Sequence, residues 1–97
     1  MPAPLTTDLD SDDAVPYFLW DEPMSMAELR RRLAVASPRE RARLLGKVLR
    51  EARDPDVWRF TTPREVVATW DALSLHLGRR RAFWEYLLSA WKGLGLL

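Results

Sequence analysis

The chain is 97 residues long, 47% hydrophobic and 30% charged, with 15 basic against 14 acidic side chains, one histidine and no cysteine. A chain of this length forms one small domain around one core, and without cysteine it holds no disulfide and no thiolate metal site. The lone His76 excludes a Cys-His pair and a multi-histidine zinc site, and no Gly-x-Ser-x-Gly elbow presents a serine nucleophile to it.

Residues 1–22 carry six acids, Asp8, Asp10, Asp12, Asp13, Asp21 and Glu22, and no base. Over residues 1–15 the apolar side chains are too few to offset the entropy of ordering, which predicts a disordered acidic tail followed by a single helical domain over 16–97. The start lacks the basic and apolar regions of a signal peptide, and no apolar run reaches the roughly 20 residues that span a bilayer. A cytoplasmic chain without a membrane partner is expected. At Pro16 the composition shifts to Tyr17-Phe18-Leu19-Trp20, four bulky apolar residues that must lie against the domain or against a partner.

Ser25-Met26-Ala27-Glu28 predicts a helix start by a capping box, in which Ser25 accepts from the amide of Glu28 and Glu28 reaches back to the amide of Ser25. Met24 and Leu29 stand where a hydrophobic staple belongs. Met26, Leu29, Leu33 and Ala36 then follow helical spacing and leave Arg30, Arg31 and Arg32 on the outer side. Ser37-Pro38-Arg39-Glu40 opens a second helix with proline at its first position, and Ala42, Leu45, Val48, Leu49 and Ala52 form its stripe. Gly46 in its middle costs about 1 kcal/mol relative to Ala, which predicts a close approach by another helix or a tryptophan.

Asp54-Pro55 stops that helix, and Trp58 and Phe60 in the connector are expected to plug the core. Thr62-Pro63-Arg64-Glu65 opens a third helix, with Val66, Val67, Trp70, Leu73 and Leu77 inward and Gly78 as its stop. The shared Pro-Arg-Glu is one capping solution used twice, because the sequences that follow it do not correspond. A last helix is predicted from about Arg80 to Lys92, with Phe83, Tyr86, Leu87, Ala90, Trp91 and Leu94 on its apolar face. Trp84 and Leu88 widen that face beyond an ordinary stripe and mark the helix as either central or docking. The expected fold is all-α, a compact bundle of about four short helices.

His76, between Leu75 and Leu77, is expected to serve as a cation at a helix C-terminus. The glycines follow no phosphate-loop or dinucleotide spacing, and Asp8, Asp10 and Asp12 lack the glycine and the closing glutamate of a calcium loop. No catalytic residue, metal or cofactor is expected, and an enzyme is not. Two binding functions remain. Basic helices offer Arg30, Arg31, Arg32, Arg39 and Arg43 to phosphates, although Glu28, Glu40 and Glu51 are spaced to pair with such arginines. The five tryptophans, Trp20, Trp58, Trp70, Trp84 and Trp91, point instead to protein contact, because tryptophan is enriched at interface hot spots.

Three stretches carry a resemblance: Tyr17-Phe18-Leu19-Trp20-Asp21, then Gly46 through Val66 (GKVLREARDPDVWRFTTPREV), then His76 through Leu88 (HLGRRRAFWEYLL). Together they make Pro16 to Leu97 similar to a family of small helical prokaryotic proteins encoded beside nucleotidyltransferase-like toxins of the abortive-infection AbiEii type. The resemblance implies an antitoxin, or a partner, of such a toxin. On that reading Phe18, Trp20, Phe83, Trp84 and Trp91 are partner anchors, and Arg79, Arg80 and Arg81 pair with carboxylates at the rim. The acids of residues 1–15 lie outside the resemblance and are expected to mimic phosphates on the toxin. A nucleic-acid-binding regulator is the alternative function, and a homodimer is a second use of the exposed apolar surface.

Overall fold

A computed structural model describes residues 4–97 of the chain. Six α-helices are found among these residues: α1 (Met26–Val35), α2 (Pro38–Glu51), α3 (Asp54–Val57), α4 (Pro63–Ala68), α5 (Trp70–Leu73) and α6 (Arg81–Gly93). Two short parallel strands, β1 (Leu5–Thr6) and β2 (Val15–Pro16), precede them. The helical class is therefore as expected, with more and shorter helices than the four foreseen.

α2 is the axis of the domain. Leu44, Leu45, Gly46, Lys47, Val48 and Leu49 are all buried, which leaves this helix no solvent face along its middle. Around it pack Met26, Leu29 and Leu33 of α1, Val57 of α3, Val66 of α4, Leu73 of α5, and Trp84 and Leu88 of α6. Trp58 and Trp70 are partly buried against this core.

Each expected capping serine or threonine accepts the bond assigned to it. Ser25, Ser37 and Thr62 accept from the amides of Glu28, Glu40 and Glu65, satisfying one of the orphan donors at each helix start. The reciprocal half of the box at α1 does not form, because the carboxylate of Glu28 turns to Arg31 at 2.6 Å and Arg32 at 2.8 Å. A guanidinium is a stronger donor to a carboxylate than a neutral amide.

The third helix is not continuous. At Thr69 the backbone leaves the helix, with φ −110° and ψ 15°, while its hydroxyl donates to the carbonyl oxygen of Glu65 at 2.7 Å. This back-bond competes with the helix ladder and bends it, splitting α4 from α5. A 3-10 turn over Ser74–His76 follows. Gly78 then takes φ +52°, the left-handed conformation a glycine adopts freely, and a second 3-10 turn leads into α6.

The acidic segment is ordered over residues 4–15, where a disordered tail is expected from composition; residues 1–3 of that expected tail lie outside the described residues. Leu9 is buried in the core. The carbonyls of Ala14 and Asp12 accept from the amides of Met26 (2.8 Å) and Ala27 (3.1 Å), the first two amides of α1. Asp12 and Asp10 reach Arg30 at 3.5 Å and Arg59 at 3.0 Å. The segment gains its order from its backbone and one leucine, while its carboxylates stay in water.

Candidate functional site

Phe18 and Leu19 lie in a 3-10 turn, Tyr17–Leu19, and both are fully buried. Phe18 meets Phe60 edge to face at 5.7 Å. One residue earlier the hydroxyl of Tyr17 donates to Asp56 at 2.6 Å and accepts from the backbone amide of Arg53 at 2.7 Å. Burial and the bond to Asp56 push the Tyr17 hydroxyl above its ordinary pKa.

Just past the turn, Asp21 and Glu22 are tied to α2. Lys47, only 7% exposed, gives its ammonium to Asp21 at 3.1 Å and to Glu22 at 2.7 Å. Glu22 also receives both terminal nitrogens of Arg43 at 2.9 Å, a bidentate fork. Hydrogen bonds from Arg43 and then Lys47 lower the Glu22 pKa to about 2, and the bonds Arg43 donates to Glu22 and Glu40 raise its own.

Between these two clamps stands Trp20, 60% exposed. Two core residues precede it and two ion-paired residues follow it, so its backbone is held while its indole stays in water. An analogous placement occurs on the neighbouring side of α2. His76 packs its Cβ against the backbone of Gly46, and Arg50 donates to the His76 carbonyl at 3.1 Å. The residue before it, Leu75, is 77% exposed. Trp20 and Leu75 thus project from two segments that anchor on consecutive residues of α2, Lys47 and Gly46.

The other aromatic anchors expected from sequence are placed differently. Phe18 belongs to the core. Trp84 is fully buried, and its indole nitrogen donates to the Leu49 carbonyl at 3.0 Å; it packs edge to face on Trp58 at 5.7 Å. Phe83 and Trp91 are partly buried against the same core, Trp91 at 6.0 Å from Trp58. The inner stripe of α6 is therefore centred on Trp84, Leu88 and Trp91, and Tyr86 and Leu94, expected on the inner face, are each 74% exposed. Leu75, Tyr86, Leu94 and Leu96 are exposed apolar residues, of which Leu75 and Leu96 stand outside the apolar face expected of the last helix.

The arginines expected at the rim differ among themselves. Arg80 stacks on Phe83 at 4.3 Å and is bound by Asp54, whereas Arg81 pairs with Glu85 at 2.8 Å. Arg79 is exposed and has no carboxylate partner among the described residues. Of the arginines expected to meet phosphates, Arg30 pairs with Asp12, Arg31 and Arg32 with Glu28, and Arg43 with Glu22 and Glu40. Only Arg39 of that set has no ion pair among the described residues.

Among the described residues no group of three or more histidine, aspartate or glutamate side chains is placed to hold a metal ion, and no helix is long and apolar enough to cross a membrane. A cleft of about 360 Å³ between α2 and the α4–α5 pair is floored by Ala42, Leu45, Ala68 and Ala72 and edged by the Arg41–Glu65 ion pair. It offers apolar contact and little polar chemistry. Comparison of the chain with protein-family models, with curated proteins and with solved structures finds no match.

Proposed function

We propose that this chain is a non-enzymatic protein-binding module of the cytoplasm, an antitoxin that neutralises a nucleotidyltransferase-like toxin by direct contact, with Trp20 as its principal anchor. The toxin as partner follows from the resemblance of the three quoted stretches. The mode of contact follows from the rigid mounting of an exposed indole. An unconstrained surface tryptophan loses rotamer and backbone freedom when it docks, whereas one held between a buried turn and a salt-bridged clamp has lost much of that freedom already. Large aromatic side chains so preorganised are the usual carriers of binding energy. Leu75, exposed on the segment that packs on Gly46, offers further apolar area, and Arg79 supplies a cation for a carboxylate of the partner.

The ion pairs weigh against the nucleic-acid alternative. Phosphate binding by Arg30, Arg31, Arg32 and Arg43 requires breaking bonds to Asp12, Glu28, Glu22 and Glu40, and those carboxylates repel the phosphate in turn. Electrostatic gain is then small where counterion release should be largest.

Co-expression with a nucleotidyltransferase toxin of the AbiEii type tests the proposal. The intact chain restores growth and co-purifies with the toxin. Trp20→Ala, with unchanged far-ultraviolet dichroism and melting temperature, loses both. Full neutralisation by that folded variant overturns the assignment of Trp20.

A further inference from the structure

α6 turns Trp84 and Leu88 toward the core, and Ala82, Glu85, Tyr86, Ser89, Lys92 and Gly93 are exposed along its outer arc. Tyr86 on one flank of this arc is 74% exposed. Beyond the other flank a groove of about 340 Å³ opens between α6 and the α4–α5 pair, with Val67, Trp70 and Leu88 as its apolar lining and Asp71, Glu85 and Lys92 as its charges. The arc and this groove are continuous, because Glu85, Ser89 and Lys92 belong to both.

The charges of this strip select the occupant. Arg81 and Lys92 balance Asp71 and Glu85, so the strip has no net charge and suits neither a polyanion nor a uniformly basic peptide. Its signs are instead ordered along the helix. Glu85 stands two turns before Lys92 on the same flank, a separation of roughly 10 Å along the axis. An antiparallel second copy of this helix, related by a twofold axis near Ser89, sets Glu85 of each copy beside Lys92 of the other. Each flank then meets the identical flank, as a twofold requires, and both ion pairs form at once.

The steric pattern agrees with the charges. Ala82, Ser89 and Gly93 occupy the middle of the arc, and nothing lies within 4 Å of where a Cβ on Gly93 would stand. Small residues there let two helix backbones approach closely. On the far flank Tyr86 covers the Gly93 region of the second copy, which removes this aromatic ring from water. The existing Arg81–Glu85 pair is half-exposed at both partners (52% and 48%), and a surface pair of this kind holds its geometry too weakly to prevent Glu85 from turning to a second cation.

We propose that the outer arc of α6 is the interface of a twofold homodimer, with a second copy of this chain as its partner. This contact is separate from the Trp20 surface on α2, so a dimer and a bound toxin involve different residues. Analytical ultracentrifugation of the intact chain over a wide concentration range tests it, alongside Glu85→Lys, Lys92→Glu and the double exchange. The parent chain shows a monomer–dimer equilibrium. Each single exchange places like charges together at two symmetric positions and weakens dimerisation about tenfold or more. The double exchange restores it. Ser89→Arg abolishes it without changing the dichroism spectrum, and Trp20→Ala leaves it intact. A monomeric mass at every concentration overturns the proposal. So does a dimer indifferent to Ser89→Arg, or a double exchange no better than the single ones.

Discussion

The Cβ of His76 occupies the space a side chain on Gly46 would need: a Cβ built there overlaps it and stands 3.2 Å from the His76 Cγ. Alanine is favoured over glycine in a helix by about 1 kcal/mol, yet Gly46→Ala is predicted to destabilise this protein. Overpacking of a closed contact costs about 1–3 kcal/mol, which outweighs the helix gain. The atom in the way is a Cβ, so His76→Ala does not relieve the overlap in the double variant and only His76→Gly does. Thermal melts of the three variants check this. A rise in melting temperature for Gly46→Ala alone contradicts it.

Trp20 and Trp84 separate two roles that tryptophan plays in one chain. Trp84→Ala removes a fully buried indole and its bond to the Leu49 carbonyl, with an expected loss of about 3–5 kcal/mol. Trp20→Ala changes stability by less than about 0.5 kcal/mol, as surface substitutions do. In a domain of this size each kcal/mol moves the melting temperature by roughly 4–8 °C. Acrylamide quenching gives an independent reading. Trp20→Phe removes the most quenchable part of the emission, while Trp84→Phe removes emission that acrylamide scarcely reaches.

Which parts of this arrangement are legible in sequence follows from how local their causes are. Ser25, Ser37 and Thr62 are readable as caps because each acts on an amide three residues away. The close approach at Gly46 is also readable as a fact, but not its partner, because His76 lies 30 positions on. α6 is ambiguous in principle: Phe83, Tyr86, Leu87, Ala90, Trp91 and Leu94 follow helical spacing, and so do Trp84 and Leu88. Only the presence of the Leu49 carbonyl and the Trp58 ring decides for the second set. The break at Thr69 depends on one hydroxyl choosing a carbonyl over water. Trp20 stands out in the sequence as one of its tryptophans, whereas the mount that holds it exposed, built from Lys47 and Arg43 of another helix, is not legible there.

Glu22 gives the fold an acid limit. Bonds from Arg43 and Lys47 depress its pKa from 4.5 to about 2, so the folded state binds its proton less readily than the unfolded chain does. The corresponding stability is fully present above the unfolded value and is lost as pH falls from about 4.5 through about 2. Glu22→Gln is predicted to cost roughly 1–2 kcal/mol at neutral pH and to flatten the melting-temperature profile across that window. Lys47 keeps Asp21 as a partner, which limits the loss. An unchanged profile in the variant removes Glu22 from the acid response.

The N-terminal segment contributes to stability through its backbone and to the surface through its acids, and the two contributions can be separated. Removing residues 1–15 takes away Leu9 and the two carbonyls that receive the amides of Met26 and Ala27. Neighbouring Glu28 has Ser25 as its acceptor, but the first two amides of α1 then have none within the chain. Burial of a leucine is worth roughly 1.5–3 kcal/mol and each of the two net hydrogen bonds about 1 kcal/mol, so the deletion is predicted to lower stability by about 3–5 kcal/mol. Denaturant melts of the truncated chain measure it. Loss of function in that variant therefore says nothing about the acids. Replacing Asp8, Asp10, Asp12 and Asp13 by asparagine keeps Leu9 and the carbonyls and gives up only exposed pairs such as Asp12–Arg30, whose partners are 77% and 48% exposed. That variant is predicted to fold with near-parent stability, and under the proposed function its behaviour in the toxin co-expression test isolates the contribution of the acidic charge. A stable truncated chain would show that the amides of α1 find water as readily as they find Ala14 and Asp12.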